Sequence, residues 1–95
     1  MVVGTCRVVF FLHDCHSLKQ KRGVVKRILE RTRSRFNAAA AEVGANDIHG
    51  RAELAFVTVG NDAKYVNSVM DKMLDYIDEL YLAEIVDHHM ELIHL

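Results

Sequence analysis

Two stretches whose apolar residues recur with helical period each follow a run rich in β-branched residues, and this doubled strand-then-helix order constrains the fold most. The first run, Val2 to His13, is bounded by the turn former Asp14 and reads as a strand. Side chains alternate along a strand, so Gly4, Cys6, Val8, Phe10 and Leu12 share one face while Thr5, Arg7, Val9, Phe11 and His13 share the other. Only the second row carries a charge, which assigns the first to the core. Ser17 is a good N-cap, and Leu18, Val25, Ile28, Leu29, Thr32 and Phe36 then line one stripe of a helix of about five turns.

The remaining elements follow from the same periods. Asn37 to Val43 contains the alanines Ala38 to Ala41, which favour helix, but a helix unbroken from Ser17 to Val43 would leave the next strand without its sequence neighbour to pair with. A weak edge strand is therefore expected there. Gly44 to Asp47 reads as a turn and Arg51 to Val59 as a strand ending at Gly60. Asn61 or Asp62 caps a second helix to Leu80, with Val66, Val69, Met70, Met73, Leu74, Ile77 and Leu80 at helical spacing. Ala83 to Leu95 closes the chain as a strand, with Val86, His88, Met90, Leu92 and His94 on one face and Asp87, His89, Glu91 and Ile93 on the other. Right-handed crossovers place both helices on one face of a four-stranded antiparallel sheet. The expected class is α+β, a ferredoxin-like βαββαβ plait, as a single domain over residues 1–95.

Composition excludes several classes. With 51 % hydrophobic residues the chain is too apolar for disorder, and a net charge of -1 removes the argument for a globally basic nucleic-acid binder. The apolar stretch Val8 to Leu12 is far shorter than the roughly 20 residues a membrane-spanning helix needs, so no membrane role is expected. Cys6 and Cys15, nine positions apart on and beyond a strand, are out of disulfide reach, which suits a reducing cytoplasm.

The segment Cys15-His16-Ser17-Leu18-Lys19-Gln20-Lys21-Arg22, with Val24-Val25-Lys26, Arg35-Phe36-Asn37, Ala41-Glu42-Val43, Arg51-Ala52-Glu53-Leu54, Asn61-Asp62 and Leu82-Ala83-Glu84-Ile85-Val86-Asp87, resembles the YlxP-like family of small bacterial domains of unknown function. The resemblance runs in order through nearly the whole chain. It implies a ferredoxin-like fold and a cytoplasmic bacterial protein whose genes often lie beside translation and ribosome-maturation genes. No activity comes with it. Val9 and Phe11 depart from the family pattern, which is often polar at those positions.

Charge is the strongest functional signal. Between Ser17 and Phe36, Lys19, Lys21, Arg22, Lys26, Arg27, Arg31, Arg33 and Arg35 face the single acid Glu30, a net of +7, whereas Asp62 to Leu95 has a net of -6. On a helical wheel Lys19, Arg22, Lys26 and Arg33 form one flank, and Arg27, Arg31 and Arg35 another at i, i+4 spacing, where like charges repel. One reading is a phosphate-tracking surface for structured RNA or a ribosomal particle, carried by Lys19, Arg22, Lys26, Arg27, Arg31 and Arg33. The other is that the acidic second helix neutralises this row by cross-helix or subunit pairing, leaving an assembly module with no nucleic-acid role. Base stacking of the RNA-recognition type is not expected, because the third strand has one aromatic residue and carries Glu53 where a platform residue is needed.

The second row of the first strand points to assembly. Val9 and Phe11, with either Ala55, Val57 and Val59 or Leu54 and Phe56 of the third strand, would form an apolar patch suited to a homodimer through the sheet faces, and Val9, Phe11 and Val57 are the expected interface. Enzymatic signals are thinner. Cys15 beside His16, just before a basic helix, is the one pair that would serve a nucleophilic enzyme, but adjacency supplies neither an aligned base nor an orienting group. His13, Asp14, Cys15 and His16 match no common metal spacing, and His88 and His89 point to opposite faces of a strand, so no metal is expected. There is no Gly-rich phosphate loop or paired-carboxylate motif, and no cofactor is expected.

Overall fold

The computed structural model describes residues 1–95 and has the expected element order: β1 (Val2–Phe11), α1 (Leu18–Arg35), β2 (Ala39–Gly44), β3 (Arg51–Gly60), α2 (Ala63–Glu79) and β4 (Glu84–His94). The strands form one antiparallel sheet in the order β2-β3-β1-β4, with both helices on one face. This is the ferredoxin-like plait. β1 is paired on both sides, which explains its β-branched and aromatic run: Val8, Val9 and Phe10 are all buried.

The core lies between the helices and the inner rows of the strands. Cys6, Val8 and Phe10 of β1 and Ala52, Leu54 and Phe56 of β3 meet Val25 and Ile28 of α1 and Val66, Met70, Met73 and Ile77 of α2. Side chains of this size each contribute roughly 1.5–3 kcal/mol when fully buried. Gly4 fixes how close α2 can come, since a Cβ there would lie 2.6 Å from Val66 Cγ1 and 3.0 Å from Met70 Cγ.

β2 forms where alanine alone would favour helix, because Ala39, Ala40 and Ala41 find partners in Val57, Phe56 and Ala55. In β4 the register with β1 shifts between Val9 and Phe10, so Val86 is bulged out and 40 % exposed. Ile85, not Val86, therefore takes the inner place opposite Phe10 and packs on the core. The strict alternation expected for Val86 fails at that one residue.

Register settles which residues share the open face of the sheet. Val59, Val3 and Ile93 lie abreast at one end, followed by Ala39, Val57, Thr5 and Glu91, then Ala41, Ala55, Arg7 and His89. Beyond them come Glu53, Val9 and Asp87, and finally Arg51, Phe11 and Glu84. Val57 and Phe11 are exposed as expected. Val9 is not: it is only 6 % exposed, flanked by the longer side chains of Arg7, Phe11, Glu53 and Asp87. Val9 thus belongs to the protomer's own packing and offers no surface to a partner.

Candidate nucleic-acid interface

α1 starts where its sequence provides a cap. Ser17 Oγ accepts from the Gln20 amide at 3.1 Å while the Gln20 side chain accepts from the His16 amide at 2.6 Å, a reciprocal closure of the first turn. The helix ends as Phe36 leaves the helical conformation and its amide bonds to the Thr32 carbonyl. Lys21, Val25, Ile28 and Thr32 face inward, with Thr32 Oγ1 donating to the Ile28 carbonyl at 2.7 Å.

Lys21 is therefore not a surface cation. Its residue is 1 % exposed, its Nζ lies 3.0 Å from Glu42 Oε2 and donates to the Ala45 carbonyl, and it ties α1 to β2 and the turn after it. Its position in the chain carried the signal, because Lys21 shares the stripe of Val25, Ile28 and Thr32.

The other seven cations of α1 are exposed. Lys26 approaches Glu30 at 3.9 Å along the helix, Arg33 Nη1 donates to the Ala40 carbonyl at 3.0 Å, and the Arg35 guanidinium lies 5.6 Å from the Tyr76 ring centre. Lys19, Arg22, Arg27 and Arg31 make no ion pair and no side-chain hydrogen bond. No carboxylate of α2 comes within ion-pair distance of α1. No cross-helix ion pair joins α1 to α2 in the folded protomer, although Asp75 and Glu79 line the same surface hollow as Arg35. The first turn of α1 holds no acid either, so its cations add to the positive end of the helix dipole.

The loop after β1 does not pair Cys15 with His16. Cys15 is buried, and His16 is exposed with no side-chain hydrogen bond to it. His13 instead pairs with Glu84 at 2.8 Å, beside a cleft of about 410 Å³ bounded by Phe11, Cys15, Val24, Asp78 and Tyr81. No three His, Cys, Asp or Glu side chains converge in a metal-holding arrangement. Cys6 and Cys15 are free thiols, and burial pushes Cys6 up from 9.0 to about 11. No helix is long and apolar enough to cross a membrane.

The open sheet face holds a single phenylalanine, Phe11, which meets His13 edge-on at 6.0 Å. Phe10 and Phe56 lie on the core side. Beside the bulge at Val86 and the burial of Val9, the sequence does not announce the burial of Lys21, the cleft beside His13, or the left-handed backbone of Tyr81, φ 54°, with its side chain outward.

Taken together, a four-stranded antiparallel sheet with both helices on one face defines a small ferredoxin-like α+β domain. Its backbone is similar to that of a de novo designed ferredoxin-fold protein solved by NMR, with a TM-score of 0.52 and 13 % identity over 98 % of this chain and 83 % of that one. It is also similar to a crystal structure of an antibiotic biosynthesis monooxygenase, with a TM-score of 0.51 and 11 % identity over 100 % and 98 % of the two chains. At such identities the likeness concerns the fold alone. Residues 3–90 match the family described as protein of unknown function (DUF503), and the chain belongs to that family. It is 30 % identical over 77 residues to the uncharacterized protein YlxP of Bacillus subtilis (strain 168), covering 81 % of this chain and 84 % of that one.

Proposed function

We propose that this protein is a non-catalytic binding protein that contacts structured RNA, or a ribonucleoprotein particle in ribosome maturation or translation, through the outer surface of α1. One observation carries the reading: seven exposed cations stand on one helix, and none has a carboxylate partner on the helix beside it. Crowded like charges destabilise an isolated helix, and a polyphosphate backbone is a ligand that turns them to use. Lys19, Arg22, Lys26, Arg27, Arg31 and Arg33 are the contact set, with Arg33 retaining its bond to Ala40 at the β2 edge.

Filter binding of the protein to ribosomal RNA over a salt series tests this. With about six phosphate contacts, affinity falls on the order of a thousandfold between 50 and 200 mM salt. Arg27→Glu with Arg31→Glu lowers the logarithmic slope by about 2. A flat salt dependence removes the reading.

The apolar end of the open sheet face favours a second reading, a homo-oligomeric assembly module. Val57, Val59 and Ile93 are 36 %, 56 % and 37 % exposed and adjoin Val3 and Ala39. Light scattering at low and high salt checks it. A monomer at every ionic strength removes it, while a dimer that Val57→Asp dissociates supports it.

A further inference from the structure

Gly23 sits in the middle of the exposed surface of α1, where the fold asks for no glycine. Its φ is not positive, and a Cβ built on it would meet nothing within 4 Å. Neither a turn nor the packing of a neighbouring element explains it. In a helix interior glycine is the least favourable residue after proline, so the position forgoes stability that alanine would supply.

Its surroundings suggest what is gained. Residues three and four apart are neighbours on a helix surface, so Gly23 is bordered by Lys19, Gln20, Lys26 and Arg27, all exposed. It lies on the ridge of α1 between the two basic flanks, one led by Lys19 and Lys26, the other by Arg27. The result is a notch of bare backbone ringed by three cations. A glycine at such a place allows another backbone to come closer than any side chain would permit.

We infer that Gly23 is the point of closest approach between α1 and the sugar-phosphate backbone of the bound RNA, with Lys19, Lys26 and Arg27 gripping phosphates on either side of the notch. The inference rests on the proposed RNA-binding reading and adds to it a steric requirement that charge alone does not impose. A bulky neutral side chain at residue 23 would lift the helix off the strand while leaving every cation in place.

Gly23→Ala and Gly23→Leu separate the two ideas, measured against a ribosomal RNA hairpin at fixed salt beside Arg27→Glu. Both glycine variants are expected to raise the melting temperature by a few degrees, Ala more than Leu, because they strengthen the helix without a clash. Gly23→Leu is expected to weaken RNA binding at least about tenfold, with Gly23→Ala in between. Binding by Gly23→Leu equal to the wild type, while Arg27→Glu weakens it, overturns the notch and leaves the basic surface standing. Failure of the wild type to bind the hairpin in a salt-dependent way overturns both.

Discussion

Lys21→Met is expected to destabilise the protein far more than loss of any other cation of α1. The ammonium is sealed between Glu42 Oε2, 3.0 Å away, and the Ala45 carbonyl, and the Glu42 side chain keeps only 21 % exposure. Methionine matches the lysine stem and removes the charge. That leaves a half-sealed carboxylate facing a carbonyl with no donor between them. Breaking such a buried pair from one side costs about 3–5 kcal/mol, and the residual access of water to Glu42 places this case near the lower end. At this chain length about 3 kcal/mol corresponds to a fall in melting temperature on the order of 12–20 °C. Adding Glu42→Leu removes the stranded charge and should return the double variant to within about 1 kcal/mol of the wild type. Urea titration followed by far-UV circular dichroism reads all four corners of the cycle. A single-variant cost below about 1 kcal/mol, or a double variant no more stable than Lys21→Met, would refute the assignment of Lys21 to the core. The same variants make a functional control, because a buried lysine touches no phosphate and the RNA salt slope of the double variant should equal that of the wild type.

Two further outcomes follow from the backbone and the thiols. The fold favours the neutral thiol of Cys6, whose value rises from 9.0 to about 11, so its stabilisation is complete below pH 9.0 and is lost as pH rises through about 11. The loss amounts to about 2–3 kcal/mol, and urea midpoints at pH 8 and pH 11 should reveal it, with Cys6→Ala showing a correspondingly smaller alkaline drop. Tyr81 leaves α2 with φ 54° while its side chain is 87 % exposed, so Tyr81→Gly relieves a left-handed conformation at little packing cost and should stabilise by about 1 kcal/mol in thermal melts.

The plait was legible because its signals are local and agree with one another. Helical stripes, N-caps at Ser17 and Asp62, and a period of two in β1 all point to one topology. What sequence hides are the places where a tertiary contact overrules the period. A bulge at Val86 exchanges the roles of two adjacent residues, and nothing in Glu84-Ile85-Val86-Asp87 announces it. Val9 lies on the outer row as its parity demands, yet neighbouring long side chains cover it. Lys21 obeys the buried stripe of α1, but lysine is so rarely enclosed that residue type outweighs position unless Glu42 is known to stand opposite. The basic surface itself was legible in composition. Whether α2 cancels it depends on side-chain directions across two helices, which spacing along either one does not fix.

Those directions also bear on how the two proposed surfaces combine. The helices form one layer of the protein and the open sheet face lies on the other side, so RNA on α1 and a second copy on the sheet would not compete for the same residues. The open face carries Glu53, Asp87, Glu91 and Glu84 against Arg7 and Arg51, a net negative charge that would repel the polyanion proposed for α1. On the proposed RNA-binding reading each protomer would approach a phosphate field with α1 inward and the sheet outward, over distances of about a Debye length. A dimer joined through its sheets would hold its two α1 surfaces on opposite outer sides, where a single short RNA helix cannot touch both. Avidity would then arise only on an RNA or particle that folds around the dimer, and a short hairpin should bind each protomer independently, with equal affinity for monomer and dimer.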